Sequence, residues 1–217
     1  MSKNILLLKL LILLSIFSVK SQNSNLVIGI KAGTNYSTYT PKYLISGRKD
    51  VRYSGKFGFY LGGFLNIKIT DDLKFQTELI FGLQGSRFLN ENIVFEEDID
   101  NIHILDFEFH IHEHTIILPL IVQYSLVEKL YIEGGLQFGY IINRSEKIKK
   151  DPFKELTGTN TQPSEIDYDK FDMGITFGMG YQLSDRFGIN SRYFFGLIER
   201  NNTIKSSVFN LGIEYKL

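Results

Sequence analysis

The sequence has 217 residues and not one cysteine. That excludes disulfides, thiolate-bound zinc, thiol chemistry and lipidation of an N-terminal cysteine. Tryptophan is also missing, and proline occurs only four times. Neither sign of charge is in excess, since 24 basic and 24 acidic residues balance to a formal net charge of +0. Lys3, Lys9 and Lys20 supply all the charge of the first 21 residues; the rest holds 21 basic against 24 acidic residues, a net charge of −3. Such a chain has no electrostatic footprint for nucleic acid. Beyond Gln22 there is no apolar run near the roughly 20 residues that a membrane-spanning helix needs. Gly82-x-x-Gly85 and Gly174-x-x-x-Gly178 lie in strand-like stretches and do not open a helix, so they are not phosphate loops. Without a nucleotide motif or a Ser-His-Asp constellation, the sequence reads as that of a non-enzyme with no cofactor. An enzyme reading, such as lipid A modification at the outer rim, would have to use Ser86 and His114 on neighbouring strands.

The first 21 residues carry an address. Lys3 gives a positive start, Ile5 to Val19 is apolar apart from Lys9 and two serines, and Val19-Lys20-Ser21 offers a cleavage site before Gln22. This is the pattern of a cleaved secretory signal peptide over 1–21, with one domain over 22–217. An exported chain without a helical anchor is either soluble outside the cytoplasm or a β-barrel.

Periodicity decides between them. From Phe57 to Ile69 the odd positions are Phe57, Phe59, Leu61, Gly63, Leu65, Ile67 and Ile69, while the even ones are Gly58, Tyr60, Gly62, Phe64, Asn66 and Lys68. The same period of two runs through Leu26–Tyr36, Leu73–Arg87, Thr115–Ser125, Leu130–Ile142, Phe171–Leu183, Phe187–Leu197 and Phe209–Leu217. These eight segments reach or exceed the roughly 9–11 residues of a tilted membrane-crossing strand, whereas globular strands average about 5–6. Tight turns at Thr70-Asp71-Asp72, Val127-Glu128-Lys129 and Ser184-Asp185-Arg186 alternate with long polar links over 37–53, 90–106 and 143–169 and a shorter one over 201–205. Short turns at one end and long loops at the other predict an all-β, eight-stranded antiparallel up-and-down transmembrane β-barrel in the outer membrane of a Gram-negative bacterium. The alternative is a soluble lipocalin-like carrier with its apolar face inward. The glycine-rich polar face suits a narrow lumen better.

With the apolar face outward, Lys31, Glu78, Glu133, Arg192 and Glu214 point into the lumen, where charges must pair. An ion-pair network that plugs the interior is expected. All four histidines lie between His103 and His114, and on an extended strand His110, His112 and His114 share a face with Asp106 and Glu108. His-x-His spacing can offer imidazoles to Zn²⁺, Cu²⁺ or Ni²⁺, which makes these three the candidate metal ligands; the other reading is the polar face of a strand above the membrane.

A likeness to a known family rests on several stretches together. These are Gly29-Ile30-Lys31-Ala32-Gly33-Thr34-Asn35-Tyr36, Glu78-Leu79 with Gly85, Leu118-Pro119-Leu120, Gly134-Gly135, Phe171-Asp172-Met173-Gly174 followed by Gly178-Met179-Gly180-Tyr181, and Arg192-Tyr193 with Gly196-Leu197. Over essentially the whole chain after Ser21 this resembles the PorT-like outer-membrane β-barrel family. The resemblance implies a barrel of the cell envelope. The founding members' link to secretion and gliding machinery is not carried over by any residue here. Asn210, Gly212, Tyr215 and Leu217 also match the polar-x-Gly-x-x-apolar-x-apolar pattern that the barrel-assembly machinery reads in a last strand. The expected partners are therefore outer-membrane lipid, that machinery during biogenesis, and envelope proteins reached through the long loops. The expected role is structural or interactive; a metal-binding or transport- and secretion-associated barrel that uses the His103–His114 strand is the second reading.

Overall fold

The computed structural model describes residues 25–44, 49–98, 101–159, 161, 168–201 and 203–217. The expected signal peptide and its cleavage site lie outside the described residues, as does Asn202.

The described strands are β1 (Leu26–Thr40), β2 (Val51–Ser54), β3 (Lys56–Lys68), β4 (Leu73–Asp98), β5 (Asn101–Val127), β6 (Leu130–Lys150), β7 (Phe171–Gln182), β8 (Phe187–Gly196) and β9 (Lys205–Lys216). A short helix α1 (Pro152–Thr157) follows β6 and is capped by the Asp151 carboxylate. Each long strand pairs antiparallel with its sequence neighbour, β9 returns to β1, and β4 pairs with β5, so the sheet is a closed ring. The ring abolishes the unpaired edges that an open sheet would leave in lipid.

Eight strands were expected and nine are described, because one is split. Ser54 of β2 faces Arg87 of β4 and Phe59 of β3 faces Leu83, so five steps on one side match four on the other. One extra residue there makes a bulge, and β2 and β3 are one broken wall strand. On the facing strand Gly85 has φ 139°, and its N–H and carbonyl both bond the Ser37 hydroxyl at 2.9 and 2.8 Å. A Cβ at Gly85 would run into the Ile111 carbonyl, so only glycine fits.

Two of the tight turns use one device. Thr70 Oγ accepts from the Leu73 N–H at 3.0 Å, and Ser184 Oγ accepts from the Phe187 N–H at 3.2 Å. A hydroxyl three residues before the next strand thus closes each turn.

The apolar faces point outward: Phe59 is 54% exposed, Phe81 39% and Phe177 57%. The inward-apolar carrier reading is overturned by this, since the inside holds the charges instead. On β5 the outward row is Tyr124, Val122, Leu120, Leu118 and Ile116, spanning nine residues of strand. That is the length needed to cross hydrocarbon at a tilt, about 9–11 residues.

The links expected over 90–106 and 143–169 are only partly links. β4, β5 and β6 run on for 26, 27 and 21 residues and form a wall beyond the barrel, in which Ile93 pairs with Leu105 and Val94 with Ile104. Sidedness inverts there. Phe88 stacks on Phe109 at 4.7 Å on the inner side, beside Tyr53, Tyr39 and Ile111, while the outer side carries His110, Glu108, Asp106 and Lys147 and, toward the tip, Val94 and Ile104. Inside lipid the apolar face turns out; in water it turns in. A reading tuned to the first case takes the second for a loop.

Candidate functional site

The lumen is filled in layers. At the turn end Asn66 donates its amide protons to the Gln76 and Gln123 side chains, both at 2.8 Å. Gln76 passes a proton bond to Glu78 at 2.7 Å and Gln123 to Glu133 at 3.0 Å. These amides hold the carboxylates of the next layer in place. Truncating Asn66→Ala should cost about 1 kcal/mol of stability, because two amide oxygens lose their donor. The urea midpoint of unfolding in detergent micelles measures it.

The next layer brings together all five residues read from the sequence. Arg192 grips Glu78 with two parallel bonds of 2.9 Å and reaches Glu133 with Nε at 2.8 Å. Lys31 lies 3.0 Å from Glu78 and 2.8 Å from Glu214. Tyr131 donates its hydroxyl to Glu214 at 3.3 Å. All five charged side chains are buried. They come from β1, β4, β6, β8 and β9, so the knot ties the barrel across its bore. Planar bidentate pairing of this kind is what arginine offers and lysine does not.

The glycines of the inner wall are the hollows for these fillings. A Cβ on Gly212 would fall on the Tyr60 hydroxyl, one on Gly180 on the Tyr131 ring, and one on Gly29 on the Phe64 ring. Above the knot, Tyr60, Ile80 and Ile117 pack together. The void left beside Lys31, Asn190 and Arg192 is about 20 Å³, room for about one water. On the turn side a polar vestibule of about 290 Å³ opens to the exterior between Asn66, Lys74, Gln76, Gln123 and Lys216.

A second buried cluster, not read from the sequence, seals the far end. Arg200 bonds the Glu113 carboxylate at 2.9 and 3.2 Å and the Ser206 hydroxyl at 2.9 Å, and its guanidinium lies 5.3 Å over the Tyr39 ring. Asp172 sits 3.8 Å away. Arg144 joins Glu113 at 3.6 Å and Glu146 at 2.9 Å.

The histidines do not form a ligand set. His110, His112 and His114 share the outward face of β5, with Glu113 and Ile111 inward. The His110 and His112 rings are 6.4 Å apart, His110 is held by Glu108 at 2.8 Å, and His114 leans on Phe81 at 5.8 Å. Side chains two apart on a strand stand about 7 Å apart, too far to share an ion unless they converge. Among the described residues no group of three or more His, Asp or Glu side chains could hold a metal ion. Ser86 and His114 lie on opposite faces, since Ser86 is buried against Ser54 and Thr38. Farther out, a bond from the Lys150 ammonium, aided by the Asn92 N–H, holds the Asp106 carboxyl below its ordinary range.

A closed barrel with an apolar outside and a charged inside is a membrane-spanning β-barrel. Over residues 20–200 the chain matches, and belongs to, the family described as "Outer membrane protein beta-barrel domain". It is an outer-membrane protein of a Gram-negative bacterium. No curated protein sequence matches it. Among solved structures it is similar to the attachment invasion locus protein Ail of Yersinia pestis, at 13% identity and TM-score 0.45, covering 90% of this chain and 100% of that one. Neisserial surface protein A gives 13% identity and TM-score 0.48 over 88% and 97% of the two chains. OprG of Pseudomonas aeruginosa gives 12% and 0.44 over 89% and 96%.

Proposed function

We propose that this protein is a closed, non-conducting barrel that serves the envelope as a structural and interaction element, with the β4–β6 wall as its presenting surface. The buried knot of Lys31, Glu78, Glu133, Arg192 and Glu214 carries the reading. Two cations and three carboxylates that satisfy one another across the bore leave no polar path for an ion to follow. The wall that projects beyond the membrane supports the second half, since its tip exposes Val94 and Ile104, with the exposed Phe153 of α1 packed beside it on Phe95. In the same reading, Asn210, Gly212, Tyr215 and Leu217 act as the signal for the barrel-assembly machinery; Tyr215 and Leu217 belong to the outward side of the last strand region.

Planar-bilayer recording on the purified full chain tests the closed lumen. No conductance steps are expected from the wild type. Reproducible, ion-selective steps would overturn it. Cross-linking from position 104 in intact cells tests the wall: a discrete protein adduct is expected, and a lack of one counts against it.

A further inference from the structure

The outward row of β5 changes character at one point. From Tyr124 to Ile116 it is apolar; then the same face continues as His114, His112 and His110. The pairing with β4 has no slip through this point, with Leu83 facing His114, Gly85 facing His112 and Arg87 facing His110. On the other side, Asn143 faces His114, Ser145 faces His112 and Lys147 faces His110. Directly opposed residues of paired strands show the same face. Arg87, His110 and Lys147 therefore form one row across three strands spaced about 4.8 Å apart, pointing away from the barrel.

Little negative charge answers them. Among the described residues Arg87 bonds the Gly55 carbonyl and the Ser54 hydroxyl, both neutral, at 3.0 Å. Lys147 has no carboxylate within ion-pair reach among the described residues. Glu108 is held by His110, and Asp106 by Lys150 at 2.7 Å. Immediately beyond a lipid-facing belt, on the side of the long connections, an outward group meets the headgroups of the outer leaflet.

We propose that Arg87, Lys147 and the His110–His112–His114 face bind the phosphate groups of outer-leaflet lipid. A guanidinium, an ammonium and the His110 imidazole in one row, with the His112 and His114 imidazoles below them, are donors a phosphate recognises. The lipid assignment comes from continuity: the acyl chains of the same molecule lie on Ile116, Leu118 and Phe81, which carry on the same outward face below His114, while Arg87, His110 and Lys147 lie farther up it. The proposal is independent of whether the lumen conducts.

The test uses the full chain reconstituted in phosphatidylcholine vesicles containing added bisphosphorylated lipid A, extracted in mild detergent and weighed by native mass spectrometry. Wild type should keep lipid A in preference to phosphatidylcholine. The double variant R87A/K147A should keep it about thirtyfold less well, since each of the two basic groups near an anionic surface contributes on the order of 1 kcal/mol. K68A/K129A, at the opposite rim, should match wild type. A second measurement needs no variant: lipid A stripped of its phosphates should lose its advantage on the wild-type protein. Equal retention of stripped and intact lipid A overturns the proposal, and so does equal retention by R87A/K147A. A soluble polyphosphate held as tightly as lipid A overturns the lipid assignment.

Discussion

Arg192→Ala should destabilise the barrel by about 3–5 kcal/mol, the cost of breaking a buried ion cluster by removing one partner. Arg192 makes three of the knot's short bonds, two to Glu78 and one to Glu133. Without it, the buried Glu78, Glu133 and Glu214 share a single cation, Lys31. Removing the charge on both sides is a different matter. A triple change of Arg192→Met with Glu78→Gln and Glu133→Gln should cost much less than Arg192→Ala, because no charge is left stranded. Arg192→Lys should fall between, having the charge but not the fork. Urea-induced unfolding in lipid vesicles, followed by heat-modifiable gel migration, measures each. An Arg192→Ala barrel within about 1 kcal/mol of wild type would show that the knot does not hold the wall together.

Leu79→Arg should cost about 2–4 kcal/mol, the penalty for a basic residue on the lipid face near the bilayer centre. Leu79 is 63% exposed and Val94 is 56% exposed, so accessibility alone treats them alike. They differ in what surrounds them. Leu79 stands in the middle of the outward row of β4, between Phe75 and Leu83, whereas Val94 stands on the wall beyond it. Val94→Arg should therefore stay within about 0.5 kcal/mol of wild type, as surface changes in water do. Equal effects at the two positions, in the same unfolding assay, would mean that both faces meet one solvent.

Much of this was legible in the chain because lipid enforces a strict rule. Every second residue of Phe171–Gln182 must be apolar, and the exceptions on the other face stand out. Lys31, Glu78, Glu133, Arg192 and Glu214 were visible as such exceptions, with only their mutual distances unknown. Arg200 and Glu113 were not visible. Arg200 sits in a short link without alternation, Glu113 lies between two histidines, and the 87 residues separating them are closed only by the ring. The wall of β4 to β6 looks like loop in the sequence because its sidedness inverts once water replaces lipid: Phe107, Phe109 and Ile111 turn inward there, while Glu108, His110 and Lys147 turn outward. The split between β2 and β3 turns on a single extra residue at Gly55, which no periodicity count resolves.

The absence of tryptophan makes the central claim directly measurable. Phe177→Trp introduces one reporter on the outward face, and Val94→Trp one on the wall. In vesicles whose acyl chains carry bromine, the Trp at 177 should emit in the blue and be strongly quenched, while the Trp at 94 should be unaffected. A reporter at 177 that emits as in water and ignores the brominated chains would contradict a lipid-facing barrel.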